Sequence, residues 1–192
     1  MLLRSVRVRS IVLKDSALLL AALLSAGCLV ASLHPVYDDD SIVFDEALLG
    51  RWEIAESEIT VVVARAEWRS YDISYTDRFG TTRFTGHLTR LGTARFLNVR
   101  PEDGVERPAF LMVTNGVLHV EVDAARVRVR EPEYATVLTR MKSGKLGIDA
   151  AIDLKQNVIV TASTQKWRAW LLAALKDEEA WADWKTFTRR TP

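Results

Sequence analysis

One cysteine, three histidines and five prolines in 192 residues leave little material for several common chemistries. A lone thiol permits neither an internal disulfide nor a cysteine-based structural zinc site. His34, His87 and His119 stand far apart, which leaves few groups for a histidine-centred metal or acid/base site. Net charge is small too: 26 Lys plus Arg against 25 Asp plus Glu give +1, with no lysine-rich tail and no electrostatic footprint for nucleic acid. No Gly-x-Ser-x-Gly, His-Glu-x-x-His or phosphate-binding loop occurs. The expectation is a non-catalytic chain without metal or diffusible cofactor, long enough for one domain.

What is present is spread unevenly. Residues 1–15 carry Arg4, Arg7, Arg9 and Lys14 against Asp15, and an uncharged Ala/Leu block with small residues follows, which is the layout of a secretory signal. The segment Leu24-Ser25-Ala26-Gly27-Cys28 resembles the lipobox of bacterial lipoproteins, with Ser25 where that family most often has Leu, Val or Ile. The resemblance implies cleavage between Gly27 and Cys28, with diacylglycerol on the Cys28 thiol and an acyl group on its new amino terminus. Several acyl chains hold a protein on a bilayer far more firmly than one. Leu29 after the cysteine, rather than Asp, implies the outer membrane with the body facing the periplasm; inner-membrane anchoring is the alternative. A second reading is an uncleaved anchor, since no charge interrupts residues 16–37 and about 20 residues span a bilayer.

Removal of residues 1–27 leaves a mildly acidic chain. Residues 28–44, with Pro35 and Asp38-Asp39-Asp40, show no periodicity and read as a flexible tether of roughly 55 Å at full extension. The three adjacent aspartates lack the alternate spacing of a calcium loop and read as solvated linker. Residues 45–192 read as a single β-rich globular domain.

Within that domain the dominant period is two. Residues 58–65 are rich in β-branched side chains, and 69–76 put Tyr71, Ile73 and Tyr75 on one side of a strand. Asp77-Arg78-Phe79-Gly80 reads as a tight turn into 81–91, with 94–100 as its next partner. Residues 109–113 and 117–122 flank Thr114-Asn115-Gly116 as a hairpin, and 126–130 alternate again. Residues 157–161 read as one more strand. Helical spacing appears at Tyr134, Val137, Leu138 and Met141. It returns after Ser163-Thr164, where Trp167, Trp170, Leu171, Ala174 and Leu175 share a face of a helix read as reaching Trp184.

Asp45-Glu46-Ala47-Leu48-Leu49-Gly50-Arg51-Trp52 looks like the opening of lipocalins and related calycins, in which a helical turn leads into Gly-x-Trp. The resemblance implies a mainly β antiparallel meander, forming a lipocalin-like barrel or half-barrel with a C-terminal α-helix. Gly50 and Trp52 then close one end. The family's later motifs are not evident, but Arg140 and Arg189 are candidates for the arginine that packs on that tryptophan. Tyr71, Tyr75 and Phe84, on the inward phase, either fill the core or line an apolar ligand cavity.

Two bland readings accompany these. His87 and His119 are packed or surface strand histidines, and Arg126, Arg128 and Arg130 form a solvated outer face that blocks edge pairing. The expected function is a lipid-anchored envelope lipoprotein acting as a binding module for a small hydrophobic molecule. The alternative is a structural or assembly protein that docks an envelope protein through its Trp-rich C-terminal helix.

Overall fold

Apolar and polar side chains alternate along 70–77 and 126–130, and an antiparallel wall is built from segments of this kind. The computed structural model describes residues 29–102 and 113–190. Two short strands come first, β1 (Val30–Ser32) and β2 (Ile42–Val43). Then come β3 (Gly50–Glu53), β4 (Thr60–Arg65), β5 (Ser70–Asp77), β6 (Gly80–Leu91), β7 (Ala94–Pro101), β8 (Gly116–Val122) and β9 (Arg126–Arg130), each paired antiparallel with the next. After β9 the chain forms α1 (Tyr134–Lys142), β10 (Ala150–Ile152), β11 (Val158–Val160) and α2 (Thr164–Ala174). It ends on β12 (Lys185–Arg189), which pairs with both β9 and β3. The result is a closed eight-stranded antiparallel barrel whose strands follow one another around the wall in chain order. Closure removes the open edges that would otherwise invite association.

The expected mainly β barrel with a helix near the C-terminus is therefore present, with one difference of order. The helix does not end the chain but precedes the strand that shuts the barrel. The helix is also shorter than its tryptophan spacing implied. It stops at Ala174, and Asp177 then caps a separate 3-10 turn at Glu178–Ala180 by accepting from the Glu179 N–H. Asp177, Glu178 and Glu179 favour a fresh helical N-terminus over continuation of the old one. Residues 109–112 of the expected hairpin lie outside the described residues.

Two layers of core result. Inside the barrel, Leu48, Trp52, Tyr71, Ile73, Leu88, Leu97, Val120, Val127 and Phe187 form one buried cluster. Outside it, Phe96 and Val117 on β7 and β8 pack beneath Val36, Trp167, Leu171 and Trp181. The tryptophans are thus largely spent on packing. Trp170 stacks on Trp167 at 5.0 Å and donates to the Leu146 carbonyl, and Trp181 donates to that of Ala174. Trp167 and Trp181 are buried, and Trp170 and Trp184 half-buried.

The tether expected over residues 28–44 is corrected for its described part. β1 runs parallel to β11 as an outer strand of a three-stranded sheet with β10, Val36 is fully buried, and Ile42 nearly so. Buried amides fasten it. Asn98 accepts from the Val36 N–H and donates to Asn115, whose own amide donates to the carbonyls of Ser32 and Leu33. Arg168 reaches across to the Val36 carbonyl, the Asp38 carboxylate and the Ser41 hydroxyl. A strand of three residues has no room for a visible period, so its partners rather than its pattern define it.

Candidate functional site: the barrel interior and its two ends

The turn before β3 lies across one end of the barrel. Asp45 caps it, accepting from the Ala47 N–H at 2.9 Å, and Trp52 donates its indole N–H to the Leu48 carbonyl at 2.9 Å. Arg189 lies opposite Trp52 in the β12–β3 register, with its guanidinium 4.2 Å from the indole centroid. It also donates to the carbonyls of Leu49 at 2.7 Å, Ala47 at 2.8 Å and Ala124 at 2.9 Å. Those are helical-turn and loop carbonyls left without intrahelical partners. Gly50 is required twice: its φ is +131°, and a Cβ there would meet Arg189 Nη1 at 2.5 Å.

Two more side chains lock the same turn. The Tyr71 hydroxyl accepts from the Asp45 N–H at 2.7 Å and donates to the Asp45 carbonyl at 3.2 Å, while Arg95 pairs with the Asp45 carboxylate at 2.7 Å. Phe44 stacks on the Tyr71 ring at 4.7 Å, with Arg65 above it at 4.2 Å. Burial pushes the Tyr71 phenol up, so it stays a neutral donor. Tyr71, expected as a cavity residue, thus belongs to the plug.

The middle of the barrel is filled. Gly86, on the inward phase of β6, has Ile73 Cδ1 2.6 Å and Leu97 Cδ1 3.3 Å from where its Cβ would lie. Leu88 and Tyr71 are fully buried beside it. Toward the far end the lining changes. Tyr75 and Phe84 are half-buried, together with Ile54, Ile59, Val61 and Val129. Register places Val61 beside Tyr75 and Ile73 beside Phe84, so this apolar lining continues the inward phase. Among the described residues the Tyr75 hydroxyl has no hydrogen-bond partner, and burial with Asp77 and Glu131 nearby pushes its pKa up. Glu131 pairs with Lys185 at 2.9 Å. The turn before β3 closes one end, and among the described residues the other presents apolar side chains with one neutral phenol.

The outer wall carries a second cluster. Arg126, Arg128 and Arg130 do share a face, but acids built into the fold meet each of them: Asp123 at 3.4 Å, Glu121 at 3.0 Å and Glu178 at 2.6 Å. Arg130 is buried, contrary to the solvated face expected, because Trp184 lies 4.5 Å from both its guanidinium and that of Arg128. Its Nε donates to His119 Nδ1 at 3.2 Å, which assigns the neutral His119 proton to Nε2. Burial first and Arg130 second hold that imidazole below its ordinary pKa. A cleft of about 350 Å³ opens beside Arg95, His119, Glu121 and Arg130. His87 stacks on Tyr37 at 4.4 Å.

Sequence reasoning named Gly50 and Trp52 and had Arg189 as one of two candidates; Arg140 instead pairs with Asp177 at 2.5 Å. It missed Arg95 and β12. The alternation Lys185-Thr186-Phe187-Thr188-Arg189 was the available signal, since Phe187 and Arg189 share one phase. Gly27 and Cys28 lie outside the described residues.

Together these features define a class: a small up-and-down β-barrel with one end plugged by a Trp–Arg pair and, among the described residues, apolar side chains lining the other. Comparison with protein-family models, with curated proteins and with solved structures finds no match for the chain.

Proposed function

We propose that the protein is a lipid-anchored lipoprotein of the bacterial envelope, whose lipocalin-like barrel is a non-catalytic binding module for a small hydrophobic molecule. The observation that carries the binding reading is the asymmetry of the barrel. Trp52, Arg189 and Tyr71 close one end through backbone contacts and Arg95 through the Asp45 carboxylate, while among the described residues Phe84, Val61 and Tyr75 line the other without such duties. Half-buried apolar side chains around one neutral hydroxyl suit contact with an acyl chain or another flat apolar molecule.

The anchoring reading gains support from the fold. With Val30–Ser32 in a sheet and Val36 buried, only residues 16–28 remain of the uncharged stretch. As a helix they would extend roughly 20 Å, short of the hydrocarbon thickness of about 30 Å. A thiol-linked lipid at Cys28 needs no such length. With Leu29 after the cysteine, the site of anchoring is the outer membrane, with the body in the periplasm.

The test is saturable binding of fatty acids, followed by native mass spectrometry on protein stripped of loosely bound lipid. Phe84→Ala is expected to weaken binding by about tenfold, the loss of roughly 1.4 kcal/mol of apolar burial. Leu154→Ala, far out on an exposed loop, leaves it unchanged. Absence of any saturable binding by the native chain removes the ligand reading.

A further inference from the structure

The chain enters the folded body at one end of the small sheet, and the same end carries an exposed hairpin tip. β1 runs parallel to β11, so the start of β1 lies where β11 starts, directly after the β10–β11 turn at residues 153–157. Leu29 is already fixed there: its N–H donates to the Asn157 side chain at 3.2 Å, and its carbonyl accepts from the Val158 N–H at 3.0 Å. Residue 28 is one peptide unit away, roughly 3.8 Å between Cα atoms.

The turn beside it has an unusual tip. Asp153 holds its shape, accepting from the backbone N–H groups of Lys155 and Asn157 and from the Asn157 amide. These bonds keep the Asp153 carboxyl below its ordinary pKa and turn its oxygens into the loop. Leu154 is left fully exposed and Lys155 exposed, with Leu29 half-exposed next to the same strand. Tyr134, at the start of α1, donates its hydroxyl to the Gln156 carbonyl at 2.6 Å. A lone exposed leucine is ordinary on a protein surface. Here leucine, lysine and tyrosine gather at the one place where the chain leaves for its anchor. That is the composition of a segment lying in a bilayer interface, with an apolar tip, a snorkelling cation and a ring at headgroup level.

We propose that the β10–β11 turn, with Leu154 at its tip, is a second membrane contact that seats the body flush on the lipid bilayer beside Cys28. This rests on the anchored reading above. It replaces a body swinging on a long tether with one held in a fixed orientation, because no free linker separates Leu29 from the sheet.

The experiment uses the full chain purified from membranes and reconstituted in phosphatidylethanolamine–phosphatidylglycerol vesicles. With the Cys28 thiol acylated, Leu154→Cys supplies the sole free thiol, and Phe79→Cys, on the exposed β5–β6 turn, supplies a comparison site. Each is labelled with an environment-sensitive fluorophore and challenged with lipids bearing a nitroxide quencher near the headgroup. The label at 154 is expected to lose most of its emission, while the label at 79 keeps its own. Equal, weak quenching at both positions in protein shown by mass to carry acyl groups overturns the seating proposal and leaves the lipoprotein reading intact. Protein without acyl mass, both of its thiols labelled and both washed off the vesicles, overturns both together.

Discussion

Arg189 reaches a tryptophan face and three backbone carbonyls with one planar fork, a geometry that a lysine ammonium cannot reproduce. Arg189→Ala is expected to cost about 3 kcal/mol in urea unfolding, and Arg189→Lys to recover less than half of it. Gly50→Ala should cost roughly 2 kcal/mol by the same measurement, through its positive φ and the clash with the guanidinium. His119 adds a pH dependence. Its folded pKa lies below the ordinary value near 6.5, so the unfolded chain takes up its proton first as pH falls. The stability tied to neutral His119 is present above that value and is lost as pH drops toward its folded pKa. Protonation would also abolish the acceptor for Arg130, while Glu121 and Glu178 nearby pull the His119 pKa the other way, upward. The urea midpoint is therefore expected to fall between about pH 7.5 and about pH 5.5, and His119→Gln to flatten that fall. His87, lowered by burial and by Arg100, sets the slope that remains.

At the level of elements, the long strands were legible because each repeats its period several times; β5 and β6 give eight and twelve residues of alternation. Short elements were legible only in part: residues 157–161 read as a strand and hold β11, whereas β1 and β10 escaped. β1 and β10 have three residues each, and Ala150–Ile152 carries no polar residue to mark a face. β12 was hidden behind Trp181 and Trp184, whose spacing from Trp170 suggested one helix, whereas Asp177 ends that helix with a new cap. The plug was half legible. Gly50 and Trp52 stood in a recognisable motif, but Tyr71 and Arg95 reach it from strands whose pairing no local pattern encodes. The same holds for the amide bridge to β1. Asn98→Ala would leave the Val36 N–H and the Asn115 side-chain amide oxygen unpartnered in a buried place, at a cost of about 2 kcal/mol. Limited proteolysis should then open the chain between Leu29 and Asp40 before the barrel, while the native chain resists there.

For the molecule as a whole, the second layer turns a barrel into an oriented object. α1, α2 and the three-stranded sheet cover the outer wall at β7 and β8, and they take the chain's entry point with them. Leu29, the residue after the one cysteine, is already fixed to this sheet through Asn157 and Val158. On the proposed lipid anchor, a barrel held in this way would keep its Tyr75–Phe84 end at a fixed angle to the membrane. The most direct measurement is the intact mass of the protein purified from membranes, beside a Cys28→Ser variant. The account predicts a native mass equal to residues 28–192 plus diacylglycerol and one further acyl group, with no acyl mass on the variant. A native chain that keeps residues 1–27 and carries no lipid would contradict it.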